Sequence, residues 1–435
     1  MPPITPNEAV RRLLRTLRRI ASTCRTAGRS RRRSRGALGL PGNVNAVSKL
    51  RQISSMRETA LPIGCKNASV AEELMNPFGP GPLSPICLSE RRRDLTHRNV
   101  LSRQPFMATT LQINLAPTDL PHLIHILPHQ FRQLEGQVDE ILLTLDLHQS
   151  RGRFGAAWKE RLPGFLDFVQ KQSAAHPKIR MHEVDYSPHV VRKISDQFFG
   201  GELIPPKDWN GGPFYSYFSG FASARHDHIF HIDSDMMFGG GSQTWIAEAK
   251  ALMEARPEVM VCNPLPGPPT PDGRLRSQEL TPEPYTSPAF RSTGISSRVA
   301  FVDRRRFLSH LAPLPLLPPP MFRRWQARLE GNFPFMLPEE ILSSSMQRAG
   351  FLRIDFLGQA PGMWSIHPKD RNAAFYERLP LLIQSIEQGE IPDGQRGHHD
   401  INDSMVDWSS VRKSSWKRKL RHFGLIYNRI KGGKP

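Results

Sequence analysis

From residue 107 onward, the sequence alternates between short apolar runs and longer amphipathic stretches. The apolar runs predict strands, and the stretches, whose apolar residues recur three and four positions apart, predict helices. The predicted strands cover 111–117, 140–148, 179–187, 228–233, 259–266, 352–358 and 362–368. The predicted helices cover 119–135, 158–172, 212–225, 244–258, 338–351 and 372–390, and a strand runs into a helix over 296–311. Strands that alternate with helices are typical of parallel sheets, so we expect an α/β fold with three α/β/α layers and a mostly parallel sheet.

Proline interrupts this pattern over residues 263–325. The segment contains PLPGPPTPDG and LAPLPLLPPPMF. Proline has no amide hydrogen to donate to a ladder or a helix, so outside the strand-and-helix stretch at 296–311 this segment is predicted to form loops.

The formal charge of the 435-residue chain is +19 and is concentrated at its two ends. Residues 1–106 carry 20 Lys and Arg against 6 Asp and Glu, and nine basic residues with no acid lie between Arg412 and Lys434. Between the ends the balance is slightly acidic. We therefore predict a leader over 1–106, one catalytic domain over 107–410 and a basic amphipathic tail over 411–435.

The leader has three interpretations. Its arginines are consistent with an arm that binds phosphates and with an amphipathic targeting peptide. The interpretation we favour is a disordered leader, with Met107 as an alternative start of translation.

The sequence has neither clustered cysteines nor a long apolar run, and both features constrain where the protein can be located. The cysteines Cys24, Cys65, Cys87 and Cys262 are scattered, which favours a reducing compartment over a disulfide scaffold. No apolar run approaches the ~20 residues of a membrane span. The sequence predicts a cytoplasmic protein that can also contact the inner face of the membrane. The contact would be made by the tail, which mixes cations with apolar residues. Such a tail suits either binding to an anionic membrane or docking on the catalytic domain.

The sharpest chemical signal is Asp233-Ser234-Asp235, which ends the apolar strand HIFHID. Two carboxylates at the carboxyl end of a buried strand can hold a hard divalent cation and through it a diphosphate. Ligand crevices of open α/β sheets lie at that end of the strands. The glycines at 239–241 are predicted to let the backbone approach a bulky substrate.

Together with Gly220 and Ala224 on the preceding helix, this strand resembles the family 2 type of GT-A glycosyltransferases. The first aspartate follows the glycine by 13 residues, as in that family. The resemblance spans most of 107–390 and implies a Rossmann-like nucleotide-diphospho-sugar transferase fold, with the UDP-sugar favoured as donor and Mn²⁺ or Mg²⁺ as cofactor. It also implies inversion and a glycan or lipid-linked acceptor, as in polysaccharide biosynthesis.

The resemblance further implies roles for individual residues. Asp146 and Asp185 would lie near the nucleotide base and ribose, with Gly220 also on the donor side. Asp233 would face the ribose and the metal, and Asp235 would bind the metal directly. Glu339 or Glu340 would supply the general base, and His367 a further metal ligand.

Each of the last three residues also has an ordinary structural explanation. Glu339 and Glu340 follow Pro338 and would favour a helix N-terminus through its dipole. His367 would equally suit a strand end without any ligand.

Two other classes of function use the same features. A metal-dependent hydrolase or a nucleotidyltransferase could employ the Asp pair, although the glycine-rich basic loop typical of nucleotidyltransferases is missing after the first strand. A nucleic-acid-binding protein could act through the arginine-rich ends, but nucleic acid is the less favoured partner because the central region is slightly acidic.

Overall fold

The computed structural model describes residues 107–150, 155, 157–285 and 287–411. The chain separates into two units, Met1–His97 and Arg98–Pro435, and all described residues belong to the second. The predicted leader and all of the predicted tail except Val411 lie outside the described residues.

The predicted alternation of strands and helices is present. The strands are β1 Thr109–Leu115, β2 Glu140–Leu145, β3 Ile179–Glu183, β4 His228–Asp233, β5 Met237–Gly239, β6 Val259–Pro266, β7 Thr281–Pro282, β8 Ala289–Ser292, β9 Val299–Asp303, β10 Leu352–Phe356, β11 Trp364–Pro368 and β12 Asp400–Ile401. The α-helices are α1 Leu120–Leu134, α2 Trp158–Ala175, α3 Pro188–Phe199, α4 Tyr215–Ser223, α5 Trp245–Ala255, α6 Arg304–Leu311, α7 Met321–Glu330, α8 Pro338–Arg348 and α9 Ala373–Gln388.

The strands form a mixed sheet in the order β3-β2-β1-β4-β9-β6-β10-β8-β7. The first four strands in this order are mutually parallel, β9 is antiparallel to both of its neighbours, and β10 is parallel to β6. A second ladder joins β11 to β5, β6 and β12. The α/β class is therefore as predicted, with antiparallel strands inserted in the sheet.

The register of the parallel strands fixes where the functional side chains can lie. Asn114 of β1 is opposite Asp233 of β4, and Leu115 is opposite Leu145 of β2. The three strands therefore end at the same edge of the sheet, and the residues that follow them meet there.

Alternate residues of the strands supply two apolar clusters. One contains Leu111, Leu143 and Phe230 with side chains of α1, α2 and α5. The other contains Leu142 and Ile229 with side chains of α3, α4, α6 and α8. Successive side chains of a strand point to opposite faces, so these clusters hold helices against the sheet at this edge and fix the residues that follow the strands.

Six elements are missing from the sequence prediction, namely helices α3 and α7 and the short strands β5, β7, β8 and β12. Strands β7 and β8 and the first residues of α7 lie within 263–325, where loops were predicted, so the prediction was wrong over these stretches. Helix α7 begins immediately after Pro320, which serves as its N-cap, and prolines at the entrance of a helix leave its ladder intact. Helix α3 was missed as well, since Pro188 is its first residue and breaks the apparent pattern.

Candidate active site

The aspartate pair lies at the turn that connects β4 to β5. Asp233 is the last residue of β4, and the Met236 amide donates to its carbonyl over 3.2 Å. Gln130 of α1 donates to the carbonyls of both Asp233 (3.0 Å) and Met236 (2.9 Å). The turn that carries Ser234 and Asp235 is thus fixed by a buried amide from the neighbouring helix.

The glycines that follow the pair accommodate the protein's own chain, which corrects our expectation that they admit a substrate. A Cβ atom on Gly239 would lie 2.1 Å from the Trp364 ring, and one on Gly240 would lie 2.3 Å from the Gly362 carbonyl oxygen. Gly240 also has φ +93°, a conformation that favours glycine. These residues let β5 pack against β11.

Asp233 is held by aromatic residues behind it. The Tyr217 hydroxyl donates to Asp233 Oδ1 over 3.1 Å, and His231 Nε2 lies 3.7 Å from the same oxygen. Burial raises the pKa of Tyr217 well above its ordinary value, and the Asp233 carboxylate raises it further. Tyr217 therefore remains a protonated donor that orients Asp233.

Asp235 is paired with Arg371, a residue that no pattern in the sequence marks. Two nitrogens of Arg371, Nη2 and Nε, lie 2.6 and 3.1 Å from Asp235 Oδ2, and Nη1 lies 3.4 Å from Asp119 Oδ1. Burial raises the pKa of Asp235, but Arg371 and His367 lower it by more, so the net pKa is below the ordinary value. Asp235 is consequently ionised at neutral pH.

A polar cleft of about 550 Å³ opens in front of these groups, at the shared edge of β1, β2 and β4. The cleft brings together four of the residues selected from the sequence: Asp146, Asp233, Asp235 and His367. It also contains residues that the sequence analysis missed, namely Asp119, Trp158, Lys207, Asp208, Tyr217, Arg298 and Arg371.

Asp146 follows β2 and forms a buried ion pair. Lys207 Nζ lies 2.5 Å from Asp146 Oδ2, and the Tyr186 hydroxyl donates to Oδ1 over 2.9 Å. Both charged side chains are at most 7% exposed. A pair desolvated to this extent presents a fixed polar wall on one side of the cleft.

His367 lies on the opposite side of the cleft, in a cluster with His399 and Asp400. Its Nε2 is 2.8 Å from Asp400 Oδ1 and 2.7 Å from Arg298 Nη1, and His399 Nε2 is 3.4 Å from the same Asp400 oxygen. Within the described part of the chain, these three residues are the group of His and acidic side chains close enough together to share a metal ion. The Arg298 guanidinium already places a positive charge beside His367 Nε2.

The two glutamates selected as candidate bases have different partners. Glu339 Oε2 accepts hydrogen bonds from the backbone amide (3.2 Å) and the hydroxyl (2.9 Å) of Ser297, a residue that lines the cleft. Glu340 Oε1 instead lies 3.4 Å from Arg323 Nη1. The neighbouring Pro338 lines the cleft, whereas neither glutamate does.

Asp185 and Gly220 lie away from the cleft lining. Asp185 accepts a hydrogen bond from the Ser187 amide over 2.7 Å at an exposed turn. A Cβ atom on Gly220 would lie 2.3 Å from Gln112 Nε2 and 2.8 Å from Thr144 Oγ1. Gly220 thus allows α4 to pack closely on β1 and β2.

The missed residues could be found only in part from the sequence. Asp119 carries a signal, because it follows β1 just as Asp233 ends the parallel neighbour β4. Arg298 and Arg371 belong to surface-like basic stretches, SSRV and KDRN, that resemble many exposed turns. Their proximity to the Asp pair arises from long-range packing that local patterns do not encode.

The Asp pair fits a hard divalent cation by its chemistry. Both hydrogen bonds from Arg371 go to Asp235 Oδ2, and the Tyr217 hydroxyl donates to Asp233 Oδ1. Among the described residues, no side chain donates to Asp233 Oδ2 or Asp235 Oδ1. Carboxylate oxygens at the edge of a polar cleft are the ligands that Mg²⁺ and Mn²⁺ prefer.

The chain matches no protein-family model and no curated protein. Among solved structures it is similar to S. aureus TarS 1–349 in complex with UDP-GlcNAc, with 8% identity over 66% of this chain and 69% of that chain and a TM-score of 0.32. It is also similar to UTP-bound UGPase from Acinetobacter baumannii, with 10% identity over 66% and 95% and a TM-score of 0.33. For the mannosyltransferase PcManGT from Pyrobaculum calidifontis in complex with GDP-Man and Mn²⁺, the identity is 11% over 48% and 47% and the TM-score is 0.26. Similarities at these identities and TM-scores indicate no particular function for this chain.

Proposed function

We propose that this chain is a metal-dependent glycosyltransferase with a GT-A type arrangement, in which helices cover both faces of the sheet. It would transfer a sugar from a nucleotide-diphospho-sugar, UDP-sugar in the first instance, to a hydroxyl of a glycan or glycolipid. The observation that carries the proposal is the Asp233-Asp235 pair at the carboxyl end of β4, facing a polar cleft large enough for a nucleotide-sugar. The two apolar clusters support the layer arrangement.

Asp233 and Asp235 would hold the cation, which when bound supplies positive charge to the departing diphosphate. Arg371 already lies on Asp235 and can carry part of the same charge. Asp146 and Lys207 would orient the nucleoside on the β2 side of the cleft. His367 would serve there as a further ligand only after its Nε2 leaves Asp400 and Arg298.

Glu339 is the better placed of the two candidate bases. Ser297 holds its carboxylate beside the cleft, whereas Glu340 is paired with Arg323. In the proposed step, the acceptor oxygen bonds to the anomeric carbon as the bond from that carbon to the diphosphate oxygen breaks. The acceptor proton passes to Glu339, and nucleoside diphosphate leaves, with inversion at the anomeric carbon.

The products distinguish this reaction from its rivals. With Mn²⁺, a UDP-sugar and a mixture of glycan acceptors, the full chain is expected to release UDP, and Asp235→Asn is expected to lose this activity. Formation of UMP and sugar phosphate would instead identify a hydrolase that cleaves the diphosphate. Formation of UTP on adding pyrophosphate would identify a nucleotidyltransferase, and either result would contradict the proposal.

A further inference from the structure

Helix α7 presents an unusual outward surface, formed by Met321, Phe322, Trp325 and the following Phe333. Their side chains are exposed to 74%, 73%, 56% and 41%, and they account for four of the eleven exposed large apolar residues of the described chain. Within α7, Ala327 is the buried residue. The helix therefore turns its apolar side chains away from the protein, opposite to the usual orientation of an amphipathic surface helix.

The position of α7 is nevertheless fixed. The Arg323 guanidinium lies 4.7 Å above the centre of the Trp209 ring and 3.4 Å from Glu340. The Asn332 amide donates to the Ala327 carbonyl over 2.7 Å as the helix ends. These contacts hold the helix by its inner side and leave the apolar side chains facing outward.

Two further arginines border the apolar side chains. Arg324 Nε donates to the Pro319 carbonyl over 2.8 Å, and the Arg328 guanidinium lies 6.0 Å from the Trp325 ring centre. Neither has a carboxylate partner among the described residues. At 100° per residue, Arg324, Arg328, Met321, Trp325 and Phe322 follow one another around a single continuous arc, with the cations along one edge.

We infer that this surface, Met321–Phe333, inserts at the interface of an anionic lipid bilayer. Bulky aliphatic and aromatic side chains enter the boundary of the acyl chains, tryptophan favours that depth, and flanking arginines meet the lipid phosphates. The inference does not depend on the reaction proposed above.

Charge complementarity selects the bilayer over two other occupants. Residues 1–106 and the tail after Asp407 are strongly basic, so either segment would bring like charge against Arg324 and Arg328. A symmetric contact between two copies would set the same arginines near each other. An anionic membrane attracts the surface and both chain ends together.

The surface also adjoins the cleft. The Trp209 amide donates to the Phe335 carbonyl over 3.0 Å, and the residues on either side of Trp209, Asp208 and Asn210, line the cleft. Leu337 and Pro338, which follow the surface in the chain, line it too. A bilayer on α7 would therefore lie beside the mouth of the cleft.

The test is co-sedimentation of the full chain with vesicles of 70% phosphatidylcholine and 30% phosphatidylglycerol. We expect binding with a component that persists in 0.5 M NaCl, because inserted side chains are not screened by salt. The double variant Phe322→Ser/Trp325→Ser should bind at least tenfold more weakly and elute fully in high salt. The matched control Leu166→Ser/Leu381→Ser, which removes exposed apolar residues elsewhere, should bind as wild type does.

A second measurement tests depth. Brominated phosphatidylcholine should quench the tryptophan fluorescence of the vesicle-bound wild type. The Trp325→Phe variant should still bind the vesicles, but its remaining tryptophan fluorescence should be quenched less. Equal salt-resistant binding by wild type and Phe322→Ser/Trp325→Ser would overturn the inference, because insertion would then lie elsewhere in the chain, and binding that 0.5 M NaCl abolishes in both proteins would assign it to the basic ends. A vesicle-free dimer that the same double substitution dissociates would assign the surface to self-association.

Discussion

Asp119 and His122 lie together at the start of α1, and their pKa values are shifted in opposite directions. Burial raises the pKa of Asp119 from 3.8 to about 6, although Arg371 opposes the shift. Burial lowers the pKa of His122 from 6.5 to about 3, and Arg371 lowers it further. As pH falls below neutrality, Asp119 takes up a proton earlier in the folded state than in the unfolded state, which stabilises the fold, whereas His122 makes the opposite contribution.

The pH dependence of Asp119→Asn tests this arrangement. Wild type carries the cost of a buried ionised Asp119 at pH 7.5 and is relieved of about half of it at pH 5.0, since the pKa of Asp119 is about 6 in the folded state and 3.8 in the unfolded state. The free energy of unfolding of wild type should therefore rise by about 1 kcal/mol relative to that of the variant between pH 7.5 and pH 5.0. Urea unfolding in the presence of a chelator measures it, and an unchanged difference would refute the assignment. Asp393→Asn, which alters an aspartate side chain that is 98% exposed, is the control.

Single residues show how far sequence reasoning can reach. Asp233 and Asp235 were selected because they are neighbours in the chain at the end of an apolar strand. Arg371 contacts Asp235 from 136 residues away, and no local pattern marks that contact. Residues whose role depends on such long-range proximity become identifiable only in the folded structure.

At the scale of elements, the close contact of α4 with β1 and β2 depends on one glycine. Gly220 lies inside a helix, where alanine normally increases stability by roughly 0.5–1 kcal/mol. Here a Cβ atom would overlap Gln112 and Thr144, both of which are buried. The same substitution must therefore have the opposite sign.

We expect Gly220→Ala to lower the free energy of unfolding by about 1–3 kcal/mol, the usual cost of overpacking. Chemical denaturation of the full chain measures the change. Gly294→Ala is the matched control, because its nearest atom, Ser343 Oγ, would be 3.4 Å away, an ordinary contact. A neutral or stabilising Gly220→Ala would show that the helix does not approach the sheet this closely.

The elements themselves were predictable where their pattern is periodic. Strands β1, β2 and β4 are buried runs with many apolar residues, β4 ends in Asp233 and Asp146 follows β2, and these features are visible in the sequence. Helix α7 was not predictable, because proline precedes it and its apolar residues face outward rather than toward a core. A periodic hydrophobic pattern indicates a buried helix face, and only Ala327 of this helix is buried.

At the scale of the whole molecule, charge and topology divide the chain into functional regions. The basic ends flank a slightly acidic centre, and the described centre contains the cleft. Within the described residues, no helix has the length and apolar character of a membrane span. The inferred contact of the α7 surface and the basic ends with an anionic bilayer would bring the cleft to the membrane without a membrane-spanning helix.

The proposed function requires that Asp233 and Asp235 bind a nucleoside diphosphate through a divalent metal. Calorimetric titration of the full chain with UDP, with and without Mn²⁺, measures this binding. We predict that Mn²⁺ tightens UDP binding at least tenfold, a coupling of about 1.4 kcal/mol. Asp235→Asn should abolish the coupling, and Asp393→Asn should retain it. UDP binding that is indifferent to Mn²⁺, or coupling that survives in Asp235→Asn, would show that the Asp pair does not hold the metal.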